Sequence, residues 1–176
     1  MDETKQLNQV KDFARTDGGI LGILWVIGFA SLLANFRYPL FGFLFFSIII
    51  GTPFMIGFRL SYLRKKYLET PFSFFRGFTY AFLTAFYAAL ILAMAQWIYF
   101  SWLDNGFMLE QYRQIFDNPE YKEVMEAAGM TARELKDAVR QLESIRAIDI
   151  SLQILYSNII MSLLISMPIA LLNRRS

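Results

Sequence analysis

The side chains that most often carry chemistry near neutral pH are missing from this chain, which has no His and no Cys. Disulfides, thiolate metal sites and thiol nucleophiles are thereby excluded. So are the commonest general base and the commonest metal ligand, and with them the paired-histidine metalloprotease pattern. Ser157 and Ser162 have no His, and no Lys within an apolar run, to act as a base. No Gly-rich phosphate loop is present. The acids Glu110, Asp117, Glu120, Glu123 and Glu126 lack the spacing of a calcium loop. They fall where the polar faces of helices belong, and a solvated surface is their ordinary role. No catalytic, cofactor-binding or metal-ligating residue is assigned, and no cofactor is expected.

What the sequence does contain is apolar length. Hydrophobic residues make up 56% of the 176 and charged residues only 18%, with 18 Phe. Soluble domains carry roughly 25% charge. Four runs lack Lys, Arg, Asp and Glu: 18–36, 38–58, 77–103 and 150–173. A hydrocarbon core of ~30 Å takes about 20 helical residues to cross, and each run suffices. The runs are apolar all round, unlike the alternating segments of a membrane barrel. The first run follows a 17-residue segment with four acids and exceeds the usual 7–15-residue signal core, so it is expected to be retained. The predicted fold is an all-α four-helix transmembrane bundle in one integral membrane domain, 1–176. Two or three short amphipathic helices in segment 104–149 are expected to cap it outside the cytoplasm.

Orientation follows from Lys and Arg. The stretch 59–76 carries Arg59, Arg64, Lys65, Lys66 and Arg76 against Glu69. With the N-terminal segment and the C-terminal arginines it forms one side, with ten basic and five acidic residues. Arg37 and segment 104–149 form the other side, with seven basic and ten acidic. The basic side is expected to be cytoplasmic, with both termini there and 104–149 periplasmic. Trp97, Tyr99 and Trp102 then form an aromatic belt at the outer end of the third run.

Segment 104–149 reads as helices. A first short helix is predicted over Met108 to Phe116. Asn118-Pro119 offers an N-cap with Pro at the first helical position, and Gly129 a stop. Thr131 with Glu134 is a capping box. Tyr121, Val124, Met125 and Ala128 share one predicted face, and Leu135, Ala138, Val139, Leu142 and Ile145 another. These faces would fold over the bundle end, dock a partner or a second copy, or lie in the lipid surface.

Lipid is as apolar as Leu, so close approach and polar contacts must hold the spans together. Gly77, Ala81, Ala85, Ala89 and Ala93 recur every four residues and predict a helix-packing ridge. Gly18 and Gly22 in the first run, and Ser162, Ser166 and Ala170 in the fourth, share that spacing. Gln96 and Asn158 are amides at similar predicted depth, and a pairing between them is expected. Their ordinary role is helix glue; a polar substrate site is the functional alternative. Pro53 and Pro168 are expected to kink their helices. No charge lies inside any run, which argues against ion-coupled transport and intramembrane acid proteolysis.

The cytoplasmic basic loop, Arg59 to Tyr67, suits anionic head groups, although topology alone also requires its charges. The order of parts is a Gly-rich first span, a short outer turn, Tyr62-Leu63-Arg64-Lys65-Lys66-Tyr67, and then Phe72-Ser73-Phe74-Phe75-Arg76-Gly77-Phe78 opening the third span. A helical outer loop and a last span closing on basic residues complete it. In this layout the chain resembles a family of small four-span bacterial inner-membrane proteins known as a domain of unknown function. The resemblance implies a bacterial inner membrane and no activity, cofactor or substrate. The expected function is a non-enzymatic scaffold or accessory subunit in the lipid bilayer. It would act as a homo-oligomer or with a membrane-protein partner through the outer helices, without nucleic acid. The alternative is a small oligomeric carrier or channel with a polar site near Gln96, Tyr156 and Asn158.

Overall fold

The computed structural model describes residues 3–67, 72–129, 131, 133, 134, 137, 140, 141 and 144–174. Their order is α1 (Glu3–Asn35), α2 (Leu40–Tyr67), α3 (Phe74–Ile98), a π-helical turn (Tyr99–Leu103), α4 (Phe107–Asp117), α5 (Pro119–Ala127) and α6 (Ala147–Asn173). Among the described residues no strand forms. Four helical stretches are long and apolar enough to cross a membrane: Gln6–Asn35, Leu40–Lys66, Phe74–Leu103 and Ala147–Asn173. Their outward faces bear Phe43, Phe54, Phe58 and Leu172, each about three-quarters exposed or more. A soluble protein could not leave so much apolar surface in water. Hydrocarbon is its natural solvent, and the molecule is an all-α membrane protein.

The chain divides into two compact units, residues 1–95 with 153–176, and residues 96–152. The first contains the core: Val10, Ala14, Leu21, Ile56, Leu60, Leu63, Phe72, Tyr80, Ala81, Ala85, Ala88 and Ile169. α1 and α2 form an antiparallel hairpin whose register is fixed by four contacts. Asp17 meets Arg59. The Trp25 indole N–H donates to Thr52 Oγ1 at 2.9 Å. Gly28 faces Ile48, and Gly42 faces the Asn35 side chain. The residue numbers of each pair add to 76 or 77, so the helices stay in step over the whole hairpin. A Cβ on Gly42 would lie 2.6 Å from Asn35 Oδ1, the movable end of a side chain, so the contact marks the register more than it demands glycine.

α1 begins well before its apolar run. Val10, Ala14, Asp17 and Leu21 are all buried, which is one helical face. This face carries the N-terminal segment into the core beside Leu60, Leu63 and Phe72. α3 opens three residues before the predicted Gly77, where the Ser73 hydroxyl accepts the Arg76 N–H as an N-cap. Along α3, Phe74, Phe78, Phe82 and Phe86 stack at 6.0–6.2 Å, within the range of favourable aromatic pairs. Pro53 and Pro168 lie inside α2 and α6, which continue as helix through both.

In the second unit, the Asp104 N–H donates to Tyr99 O and closes the π turn. Trp97 and Trp102 pack edge to face at 5.1 Å. Asn105 and Gly106 adopt left-handed backbones (φ 44° and 81°) and turn the chain into α4. α5 starts at Pro119, and the chain leaves it through Gly129 (φ 88°). The capping box forms: Thr131 N–H donates to Glu134 Oε2 at 2.7 Å, and Glu134 N–H to Thr131 Oγ1 at 3.3 Å. The Thr131 N–H and the Thr131 hydroxyl, which donates to the same Oε2 at 2.9 Å, hold the Glu134 carboxyl below its ordinary pKa. Of the second predicted face, Leu135, Ala138, Val139 and Leu142 lie outside the described residues, and Ile145 is exposed.

Candidate functional site: polar clasps between the helices

The strongest chemistry of the molecule sits where the sequence shows only flanking charge. Asp17 is the last residue before the first apolar run and Arg59 the first after the second. Both lie within continuous helices, one residue beyond the charge-free runs, so the helices carry this charge at the ends of those runs and not inside them. Arg59 donates to Asp17 Oδ1 from Nε at 3.1 Å and from a terminal nitrogen at 2.5 Å. The Tyr80 hydroxyl donates to the other carboxylate oxygen, Oδ2, at 2.5 Å. The Asp17 side chain is 3% exposed and that of Arg59 39%. Desolvating a carboxylate costs several kcal/mol unless charge and hydrogen bonds replace its water. Arg59 supplies the charge and Tyr80 satisfies the second oxygen. The three residues join α1, α2 and α3 at one level.

A second clasp ties α2 to α6. The Arg64 guanidinium donates to the backbone carbonyl of Asn173. The Ser61 hydroxyl donates to Asn173 Oδ1 at 2.6 Å, and Asn173 Nδ2 donates back to Ile169 O at 3.0 Å. The last carbonyls of a helix lack partners within it and carry partial negative charge. Arg64, nearly buried, therefore caps α6 from another helix.

The residues of the basic loop thus divide. Arg59 and Arg64 are interhelical ties. Lys66 Nζ donates to the Tyr62 hydroxyl at 2.9 Å and lies over its ring. Lys65 is exposed, and Arg76 is half-buried.

Of the predicted ridge, Gly77, Ala81, Ala85 and Ala89 are buried and Ala93 is half-buried. A Cβ on Gly77 would lie 3.4 Å from the Ala170 backbone, so α3 and α6 approach closely there. α1 meets α3 one face over. Gly18 lies against the Thr84 backbone and Tyr87, and Gly22 against Ile91. Ser157 and Ser162 donate their hydroxyls to the carbonyls of Gln153 and Asn158, one turn back. Such bonding satisfies a hydroxyl within its own helix. Gln96 and Asn158 belong to different units. Gln96 is buried, and its Oε1 accepts no hydrogen bond among the described residues. Asn158 is half-buried.

Among the described residues, no group of three or more acids could hold a metal ion. The first unit is built to hold helices together through Asp17, Arg59, Tyr80, Arg64 and Asn173. All five lie within the stretch that matches a known family. No curated protein and no solved structure matches the chain. A family model described as "Protein of unknown function (DUF4199)" matches residues 16–175. With nearly its whole length so matched, the chain belongs to this family of proteins of unknown function.

Proposed function

We propose that the protein is a non-enzymatic scaffold or accessory subunit of a bacterial inner membrane. Both termini are then cytoplasmic and segment 104–149 is periplasmic. The observation that supports this reading is the state of α4 and α5. Neither has a buried residue among those described, although both are amphipathic. Tyr112, Ile115, Tyr121 and Val124 are exposed, Val124 by 63%. Phe116 and Tyr121 pack edge to face at 5.8 Å and join the two helices. Apolar side chains presented together to water favour contact with another protein surface. A photoreactive side chain at Val124 in native membranes is expected to give one discrete protein adduct, either a homodimer or a heteromer. Adducts to lipid alone at that position contradict the reading.

The carrier reading draws on one observation, the buried Gln96 Oε1, which accepts no hydrogen bond among the described residues. Leaving an acceptor unsatisfied costs about 1–3 kcal/mol, which a ligand or water would recover. With the acceptor unsatisfied, Gln96→Leu leaves thermal stability in detergent unchanged or raises it. A clear fall in melting temperature would show that the amide is already bonded as helix glue and would remove the observation on which the carrier reading draws.

A further inference from the structure

The register of the α1–α2 hairpin sets a depth scale. From Asp17 to Asn35 is 18 residues and from Leu40 to Arg59 is 19, about 27 Å and 28 Å of helix at 1.5 Å per residue. With the turn between them, the hairpin spans about the 30 Å of a hydrocarbon core. The Asp17–Arg59 pair therefore marks one hydrocarbon boundary. Beyond it, the same register puts Lys11 at the level of Lys65 and Lys66. Both Lys11 and Lys65 lie six residues past the ion pair, or about 9 Å. Arg15 lies two residues past it, or about 3 Å. The head-group layer occupies roughly the first 5–8 Å outside the hydrocarbon, and Lys and Arg side chains reach several ångströms along the axis.

Lys11, Arg15 and Lys65 share a second property. All are exposed, and none forms a hydrogen bond or ion pair with a described residue. The neighbouring cations are committed elsewhere: Arg59 to Asp17, Arg64 to Asn173 and Lys66 to Tyr62. Of the nearby carboxylates, Asp17 is held by Arg59 and Tyr80, and Asp12 is exposed. Among the described residues, these three cations face one free carboxylate, an excess of positive charge in the layer where lipid phosphates lie. We infer that Lys11, Arg15 and Lys65 form a binding belt for the head groups of anionic phospholipids. The belt takes the phosphate of a lipid and not a soluble anion, because its depth is set by the hydrocarbon-spanning hairpin.

The test uses the full-length protein in phosphatidylcholine bilayers with trace spin-labelled phosphatidylglycerol or phosphatidylcholine. The immobilised fraction of each label gives their relative association. Phosphatidylglycerol is expected to be favoured about five-fold for each cation engaged. The triple variant K11Q/R15Q/K65Q should bring the two lipids to parity, while K11R/K65R keeps the preference. Equal association with the unaltered protein overturns the inference, as does a preference that survives the triple variant. Loss of preference in K11R/K65R would trace the triple variant's effect to folding and also overturn it. Displacement of phosphatidylglycerol by inorganic phosphate, beyond that by chloride at equal ionic strength, would identify a soluble-anion site instead.

Discussion

Arg59→Met is expected to destabilise the bundle by about 3 kcal/mol, the low end for removing one partner from a buried ion pair, because the carboxylate is buried but Arg59 is partly in solvent. The Asp17 carboxylate, 3% exposed, then keeps only the Tyr80 hydroxyl. Asp17→Asn should cost less, about 1–2 kcal/mol. Arg59 is more than a third exposed and can turn its guanidinium toward water and head groups. The asymmetry is the informative part. Asp17→Asn combined with Arg59→Met should be more stable than Arg59→Met alone, because no unpaired charge is left behind. Thermal unfolding in detergent, followed by circular dichroism for the four proteins, measures the cycle. Equal losses from the two single substitutions, adding in the double variant, would mean that the residues act independently.

The second large effect is expected at Gly18. A Cβ there would lie 2.7 Å from the Thr84 carbonyl oxygen and 2.7 Å from the Tyr87 Cβ. Neither neighbour is the flexible end of a side chain, so α1 and α3 must separate. Overpacking of this kind costs about 1–3 kcal/mol and occasionally more. The upper end is expected here, because Gly18 adjoins Asp17 and the shift pulls its carboxylate from Tyr80. Gly19 is the internal control, with nothing within 4 Å of its hypothetical Cβ. Gly19→Ala should be neutral or slightly stabilising, since Ala is the better helix former. The two alanine variants, melted side by side, check the close approach; equal melting temperatures would contradict it.

Features that depend on average composition or on local chemistry are legible in this chain, and contacts between distant residues are not. The four long helices are legible because bilayer solvation acts on average composition over about 20 residues, and no single contact has to be known. The capping box at Thr131 and Glu134 and the stop at Gly129 are legible because their chemistry is local. The clasps are not local. Asp17 and Arg59 each fall one residue outside an apolar run, where charge ordinarily sets topology. One signal of their pairing was available: each lies 21 residues from Tyr38 in the turn, so a hairpin folding there must bring them level. Tyr80 and the Arg64–Asn173 contact had no such signal, because they depend on which helix neighbours which. The small residues from Gly77 to Ala89 are buried along α3. The glycines of α1 nevertheless lie against Thr84, Tyr87 and Ile91, and four-residue spacing alone does not choose between adjacent faces.

Depth measurements on α2 test most directly whether hydrocarbon surrounds this bundle. The chain contains no Cys, so single cysteines carrying spin labels have no background. Labels at Phe43, Phe46, Ile50, Phe54, Phe58 and Lys65 in reconstituted bilayers are compared for collisions with oxygen and with a water-soluble nickel chelate. Oxygen should dominate from Phe46 to Phe54, and the chelate should take over at Lys65. Free access of the chelate to Ile50 and Phe54 would contradict the account, since those faces would then be in water.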